Sequence, residues 1–122
     1  MASNRTVLIA DDSQFMRFVL RKILEKHSFT VVADVENGMK AVESYKQNKP
    51  DLVTMDVVMP GMDGIEATRA ILEFDDKAKI IVVSALGQQP LVNEAMDAGA
   101  KTFIVKPFEE SKVVEVIDEL FN

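Results

Sequence analysis

Five short, mostly apolar segments recur along the chain, and each is followed by a longer stretch with helical periodicity. The apolar segments are residues 6–10, 30–35, 52–55, 80–83 and 102–105. Apolar runs this short are typical of strands that are covered on both faces. Strands that alternate with helices favour parallel pairing through right-handed crossovers. The sequence therefore predicts an α/β fold, a doubly wound parallel sheet of five strands with five helices.

Caps and helix breakers set the ends of the predicted helices. The helices are expected at about residues 15–27, 39–48, 64–74, 90–98 and 109–121. Asp63 is the expected cap of the third helix, and Pro90 and Gly99 bracket the fourth. Phe15 and Phe18 belong to the apolar periodicity of the first helix. At the end of that helix, His27 is interpreted as a solvated surface group.

The composition limits the class of protein. The length of 122 residues fits one domain, and 48% apolar with 28% charged residues is ordinary globular usage. A net charge of −6 without a long Lys/Arg run disfavours nucleic acid and anionic membranes as partners. The lack of cysteine excludes a disulfide framework and a thiolate metal site. The first apolar run is too short for a signal peptide or a membrane span, so a soluble cytoplasmic protein is expected.

Polar residues follow four of the predicted strands. Asp11 and Asp12 follow the first strand, Asp56 the third, Ser84 the fourth and Lys106 the fifth. Because doubly wound sheets bind ligands at the carboxyl ends of their strands, these residues should converge. Taken singly, each has a simpler interpretation. One acid of the first pair would be a helix cap, Asp56 and Ser84 would be turn residues, and Lys106 would be a solvated cation.

Convergence would gather three carboxylates, and one lysine offsets only part of their charge. A divalent cation among them would remove the repulsion. Oxygen ligands without His or Cys nearby favour Mg²⁺ over zinc. Mg²⁺ typically binds one or two carboxylates and shares its other positions with water and phosphate oxygens. The sequence therefore predicts metal-assisted phosphoryl chemistry at Asp56.

Four motifs match a known family over essentially the whole chain. They are residues 7–13 (Val-Leu-Ile-Ala-Asp-Asp-Ser), 56–64 (Asp-Val-Val-Met-Pro-Gly-Met-Asp-Gly), 84–87 (Ser-Ala-Leu-Gly) and 103–108 (Phe-Ile-Val-Lys-Pro-Phe). With these motifs the chain resembles the receiver (response regulator) domains of two-component signalling, and among them most the stand-alone chemotaxis regulators of the CheY group. The resemblance implies a flavodoxin-like sheet of order 2-1-3-4-5. It also implies a single receiver domain over residues 1–122, without an output domain.

The resemblance assigns roles to the residues at the sheet edge. Asp56 would be the phosphoacceptor, a carboxylate nucleophile that takes a phosphoryl group from a kinase phosphohistidine. Asp11, Asp12, Asp56 and the backbone carbonyl of Val58 would bind Mg²⁺. Lys106 would neutralise a phosphoryl oxygen. The protein would not be an enzyme beyond its own autophosphorylation and autodephosphorylation.

The resemblance also implies a switch. The hydroxyl of Ser84 would hydrogen-bond the attached phosphoryl group, and Phe103 would rotate into the space that Ser84 leaves; a plain core aromatic is an equal alternative for Phe103. The output face would include helix four, whose apolar residues exceed one buried stripe. These residues are Leu91, Val92, Ala95 and Met96. Val58 and Leu86 are apolar where enteric regulators of the family carry polar or acidic side chains, which predicts slow self-hydrolysis.

The implied partners are a CheA-like histidine kinase, a flagellar or archaellar motor switch or adaptor protein, and a CheC/CheX-type phosphatase, with the chain itself a monomer. A phosphorelay intermediate that passes phosphate to a histidine phosphotransfer protein is the alternative.

Two other classes of protein share parts of the pattern. A flavodoxin-like cofactor protein would need a Gly/Ser/Thr-rich loop after strand one, where this chain has two acids. An aspartyl-phosphate phosphatase would need a second acid at the position of Val58.

Overall fold

A computed structural model describes residues 4–121, in which five strands alternate with five helices. The elements are β1 (Arg5–Ala10), α1 (Gln14–Lys26), β2 (Phe29–Val35), α2 (Gly38–Asn48), β3 (Leu52–Asp56), α3 (Gly64–Phe74), β4 (Ile80–Ala85), α4 (Gln89–Ala98), β5 (Thr102–Lys106) and α5 (Glu110–Phe121). All strand pairs are parallel, and the sheet order is β2-β1-β3-β4-β5. The predicted fold and strand order are confirmed.

The helices cover both faces of the sheet because successive strand residues point to opposite faces. Leu8 and Ala10 lie in one buried cluster, together with residues of α2, α3 and α4. Val7 and Ile9 lie in a second cluster, together with residues of α1 and α5. An apolar run with no polar alternation is therefore what a central strand of this sheet requires.

Three strands continue past the ends of their apolar runs. β3 includes Asp56, which pairs with Val83, and β4 includes Ser84, which pairs with Val105. β5 likewise extends to Lys106. Parallel pairing uses backbone groups, so a polar side chain does not end a strand. The polar residues predicted to follow these strands therefore lie within them: Asp56 and Lys106 are the last residues of β3 and β5, and Ser84 is the last but one of β4.

Side-chain caps form at three helix starts. Ser13 Oγ accepts a hydrogen bond from the Met16 amide at 3.2 Å, and Asn37 caps α2 in the same way. Asp63 Oδ1 accepts one from the Glu66 amide at 2.9 Å, as predicted. Gly99 ends α4 with φ of 117°, a conformation that favours glycine. The cap of α1 is therefore Ser13, and the expectation that Asp11 or Asp12 caps this helix is wrong.

Helix α1 corrects one expectation. Phe15 and Phe18, which belong to its apolar periodicity, are 71% and 55% exposed. The buried residues of α1 are Leu20, Ile23 and Leu24, so only its later turns pack over the sheet. The structure adds a contact for His27, whose Nε2 lies 3.0 Å from Glu110 Oε2 at the start of α5. His27 is exposed, as predicted, but it also contacts this carboxylate.

In α4 and α5, some apolar residues next to the buried stripe are partly or fully exposed. In α4, Val92 and Ala95 are buried, whereas Met96 is partly exposed, as the excess of apolar residues predicts. In α5, Val116 is buried and Val114 only partly so. None of the helices within residues 4–121 is long and apolar enough to cross a membrane.

The hydroxyl of Tyr45 provides a test of how α2 and α3 are joined. It donates a hydrogen bond of 2.8 Å to Asp75 Oδ2, which holds the pKa of Asp75 below its ordinary range. A carboxyl with a lowered folded-state pKa stabilises the fold above its ordinary pKa, and this contribution is lost as the pH falls through the lowered value. Tyr45→Phe should therefore lower the urea midpoint at neutral pH.

The difference between Tyr45→Phe and the unchanged chain should shrink below about pH 4, the ordinary range of Asp. The variant keeps the ring, whose centroid lies 6.3 Å from that of Phe74, so packing is preserved. Equal urea midpoints at neutral pH would contradict this role of the hydroxyl.

Candidate functional site

The ends of β1, β3 and β5 bring the predicted polar residues together. One carboxylate oxygen from each of Asp11, Asp12 and Asp56 lies within 4.8 Å of the others. The ammonium of Lys106 lies 2.9 Å from Asp11 Oδ2 and 3.3 Å from Asp56 Oδ2. The predicted convergence is confirmed for these four residues.

The charges at this edge are only partly balanced. Asp11 and Asp56 are buried, whereas Asp12 is exposed. Burial and the neighbouring charge of Asp11 raise the pKa of Asp56 to about 6, although Lys106 opposes the shift. Burial lowers the pKa of Lys106, but its bonds to the two aspartates outweigh this and raise it overall. Without a metal, the protein therefore keeps a repelling pair of carboxylates that one ammonium bridges.

Every polar group of Asp11 is hydrogen-bonded. Its amide donates to the carbonyl of Val35 at 3.0 Å, and its Oδ1 accepts from the amide of Ser13 at 2.9 Å. Its carbonyl accepts a hydrogen bond of 2.7 Å from Nη1 of Arg17. The sequence analysis assigned Arg17 no role at this site. The partner is a backbone atom, so no residue pattern could have identified it.

Ser84 lies at the end of β4, 1% exposed. Its hydroxyl has no hydrogen-bond partner within the described part of the chain. A buried hydroxyl without a partner costs about 1–3 kcal/mol. The group is thus available for a new acceptor at this edge of the sheet.

The rim of the site is apolar. Val58 and Leu86 are 48% and 78% exposed, although both are hydrophobic. The amide of Val58 donates to Asp56 Oδ1 at 3.4 Å, which places the Val58 backbone beside the carboxylate. Phe103 is 36% exposed on β5, so the alternative of a plain core aromatic is wrong.

Helix α3 begins against the backbone of Asp56. The Gly64 amide donates to the carbonyl of Val57 at 3.1 Å. A Cβ at Gly64 would overlap the carbonyl of Asp56, so no larger residue fits at this helix start. Sterics therefore explain why the motif of residues 56–64 ends in glycine.

The donor set fits a small, hard divalent cation. Its side-chain donors are all carboxylate oxygens, the ligands that Mg²⁺ prefers. A cation would also remove the repulsion between the two buried acids. The three aspartates therefore form an acidic group that can hold a metal ion.

Comparison with known proteins identifies the family. The family model of the response regulator receiver domain matches residues 7–118. The chain belongs to the response regulator receiver family. It is 53% identical over 116 residues to the chemotaxis protein CheY of Bacillus subtilis, and the match covers 95% of this chain and 97% of that protein. The CheY of Thermotoga maritima gives the same identity and the same coverage.

A solved structure agrees with these relatives. The CheX–CheY–BeF3–Mg²⁺ complex from Borrelia burgdorferi superposes with a TM-score of 0.92 at 41% identity, covering 97% of this chain and 90% of that chain. The receiver-domain chain is thus of the CheY chemotaxis type, and the phosphorelay alternative is not favoured. The family match also disfavours a flavodoxin-like cofactor protein.

Because the negative charge of Asp56 is incompletely balanced, we predict that removing this charge stabilises the fold. A raised pKa means that Asp56 binds its proton more tightly in the folded state, so ionisation costs stability as the pH rises from about 4 through about 6. In the absence of metal, Asp56→Asn should therefore stabilise the protein at neutral pH. The expected gain is roughly 1–2 kcal/mol, less than the full shift implies because solvent screens part of the repulsion; the attraction of Lys106 is already contained in that shift.

Urea unfolding in a chelating buffer measures this gain. The gain should disappear below about pH 4, where the carboxyl is protonated in both states. Asp12→Asn is the matched control, since Asp12 is exposed, and it should change the free energy of unfolding less. Destabilisation by Asp56→Asn at neutral pH would rule out the strained carboxylate pair.

Proposed function

We propose that the chain is a phosphorylation-activated switch for chemotaxis, with Asp56 as its phosphoacceptor. The observation that carries this proposal is the buried carboxylate of Asp56, 3.3 Å from the ammonium of Lys106 and grouped with two further aspartates. The relatives of CheY type support the chemotactic setting. The location that goes with this role is the cytoplasm.

The proposed reaction moves a phosphoryl group from a phosphohistidine to Asp56. The P–N bond of the donor breaks, and a P–O bond forms to a carboxylate oxygen of Asp56. At neutral pH most of Asp56 is ionised, since its raised pKa of about 6 is still below 7. Lys106, already within reach of that carboxylate, neutralises charge on the phosphoryl oxygens. The protein contributes positioning and charge balance.

Mg²⁺ is the proposed cofactor, held by Asp11, Asp12, Asp56 and the backbone carbonyl of Val58. Bound there, it would offset the negative charge that the carboxylates and the phosphoryl oxygens share. The three aspartates supply oxygen ligands of the required type. Val58 follows Asp56 by two residues, and its amide already contacts that carboxylate.

Ser84 and Phe103 are the proposed switch. The buried hydroxyl of Ser84 lacks a partner within the described residues, and a phosphoryl oxygen on Asp56 would supply one. Movement of Ser84 toward the phosphoryl group leaves space for Phe103, which is partly exposed on the adjacent strand. Met96 of α4 is partly exposed as well, which supports α4 as part of the output face.

The proposed partners follow from the family. A CheA-like histidine kinase would supply the phosphoryl group, and a motor switch or adaptor protein, flagellar or archaellar, would receive the signal. The solved complex from Borrelia burgdorferi contains CheX with CheY, which supports a CheC/CheX-type phosphatase. The chain would act as a monomeric single receiver domain. It would be no enzyme beyond its own phosphorylation and dephosphorylation.

Labelling tests the phosphoacceptor. Incubation with radiolabelled acetyl phosphate or phosphorylated kinase, together with Mg²⁺, should transfer label to the unchanged chain. Asp56→Asn should abolish transfer because the amide is no longer a nucleophile. Asp76→Asn, an exposed acid in the loop after α3, is the matched control and should label normally. Full labelling of Asp56→Asn would refute the assignment.

The apolar rim predicts a long-lived aspartyl phosphate. Val58 and Leu86 offer no side-chain donor or acceptor to hold an attacking water, so self-hydrolysis should be slow. Loss of label after removal of the phosphoryl donor measures the lifetime. Val58→Asn and Leu86→Gln should each shorten it several-fold, since both substitutions place a polar group at the rim. Unchanged lifetimes in both variants would contradict the role of the rim.

A further inference from the structure

Arg17 is the one cation of α1 that reaches the backbone of the acidic site. Its Nη1 donates a hydrogen bond of 2.7 Å to the carbonyl of Asp11, six residues earlier in the chain. The guanidinium is largely buried, with only 16% of the Arg17 side chain exposed. A charged donor of this kind forms one of the stronger hydrogen bonds in proteins.

The guanidinium is itself anchored. Arg17 Nε lies 3.4 Å from Asp34 Oδ1 near the end of β2, and Arg21 Nη2 lies 2.7 Å from Asp34 Oδ2. The planar guanidinium thus bridges the carbonyl of Asp11 to a carboxylate of the neighbouring strand. A lysine has a single ammonium and lacks this rigid two-sided geometry.

The carbonyl of Asp11 lies where β1 ends and the loop to α1 begins. The peptide that carries this carbonyl also carries the amide of Asp12, whose carboxylate is exposed. Holding the carbonyl fixes the plane of that peptide and so restricts where both carboxylates can lie. Partners of this indirect kind often control metal affinity, because they orient the groups that touch the metal.

We propose that Arg17 is a positioning residue of the divalent-cation site, acting through the backbone between Asp11 and Asp12. The inference rests on the proposed function in that it assumes a cation at the three aspartates. Arg17 touches neither the cation nor the phosphoryl group. It preorganises two ligands, so that less conformational freedom is lost when the cation binds.

Calorimetric titration of the full chain with MgCl2 tests the role without kinase or phosphoryl donor. Arg17→Gln should raise the Kd for Mg²⁺ by about tenfold, the lower end of the effect of such indirect partners. Arg17→Lys keeps the charge but loses the two-sided geometry, and it should raise the Kd less. Lys22→Gln is the matched control: Lys22 is an exposed cation of the same helix whose ammonium lies over the ring of Phe18, so the Kd of this variant should stay near that of the unchanged chain.

A double-mutant cycle tests the anchoring of Arg17. Asp34→Asn should raise the Kd for Mg²⁺ in the same direction as Arg17→Gln. Combining the two substitutions should weaken binding by less than the two separate effects together, because both act through one contact. Additive effects would overturn the bridging role of the guanidinium.

The outcomes separate this inference from the proposed function. Urea unfolding without metal reports any general loss of stability, so a destabilised Arg17→Gln with an unchanged Kd overturns the inference alone. An equal loss of affinity in Lys22→Gln and Arg17→Gln also overturns it. No Mg²⁺ binding by the unchanged chain overturns both the inference and the metal site. The phosphoacceptor role of Asp56 fails only in the labelling experiment.

Discussion

The bridge that Lys106 forms between two buried aspartates governs this structure. Its ammonium lies 2.9 Å from Asp11 and 3.3 Å from Asp56, so one positive charge faces two negative ones. Burying charge is costly unless it is paired, and here the pairing is incomplete. The result is a site that retains a net attraction for a further cation. The same arrangement raises the pKa of Asp56 while leaving it mostly ionised at neutral pH.

The sheet supplies the geometry that this charge pattern needs. Three parallel strands that end at one edge bring together residues that are 45 to 95 positions apart in sequence. Backbone pairing continues through Asp56 and Lys106, so these side chains start from fixed positions. Gly64 adds a close contact between α3 and the carbonyl of Asp56. Strand ladders and a glycine thus preorganise a site whose side chains carry most of the chemistry.

The sequence predicted what depends on topology and missed what depends on side-chain packing. Asp11, Asp56 and Lys106 could be placed together because a doubly wound sheet aligns its strand ends. The hydrogen bond from Arg17 to the carbonyl of Asp11 could not be predicted, since every residue has a backbone carbonyl and the sequence does not show which one a side chain will reach. The contact of His27 with Glu110 depends on how α1 and α5 lie across one face. Phe15 and Phe18 follow helical periodicity, yet the first turns of α1 do not pack over the sheet.

The position of β3 has a consequence for how the site can be reached. β3 is the middle strand of the sheet, and all its residues, Leu52 to Asp56, are buried. Central strands with this burial are among the last segments to open in local unfolding. Water and partner proteins must therefore approach Asp56 from the rim that carries Val58 and Leu86, and not through transient breathing of the strand. If Asp56 is phosphorylated as proposed, the lifetime of the phosphoryl group should not depend on opening of β3.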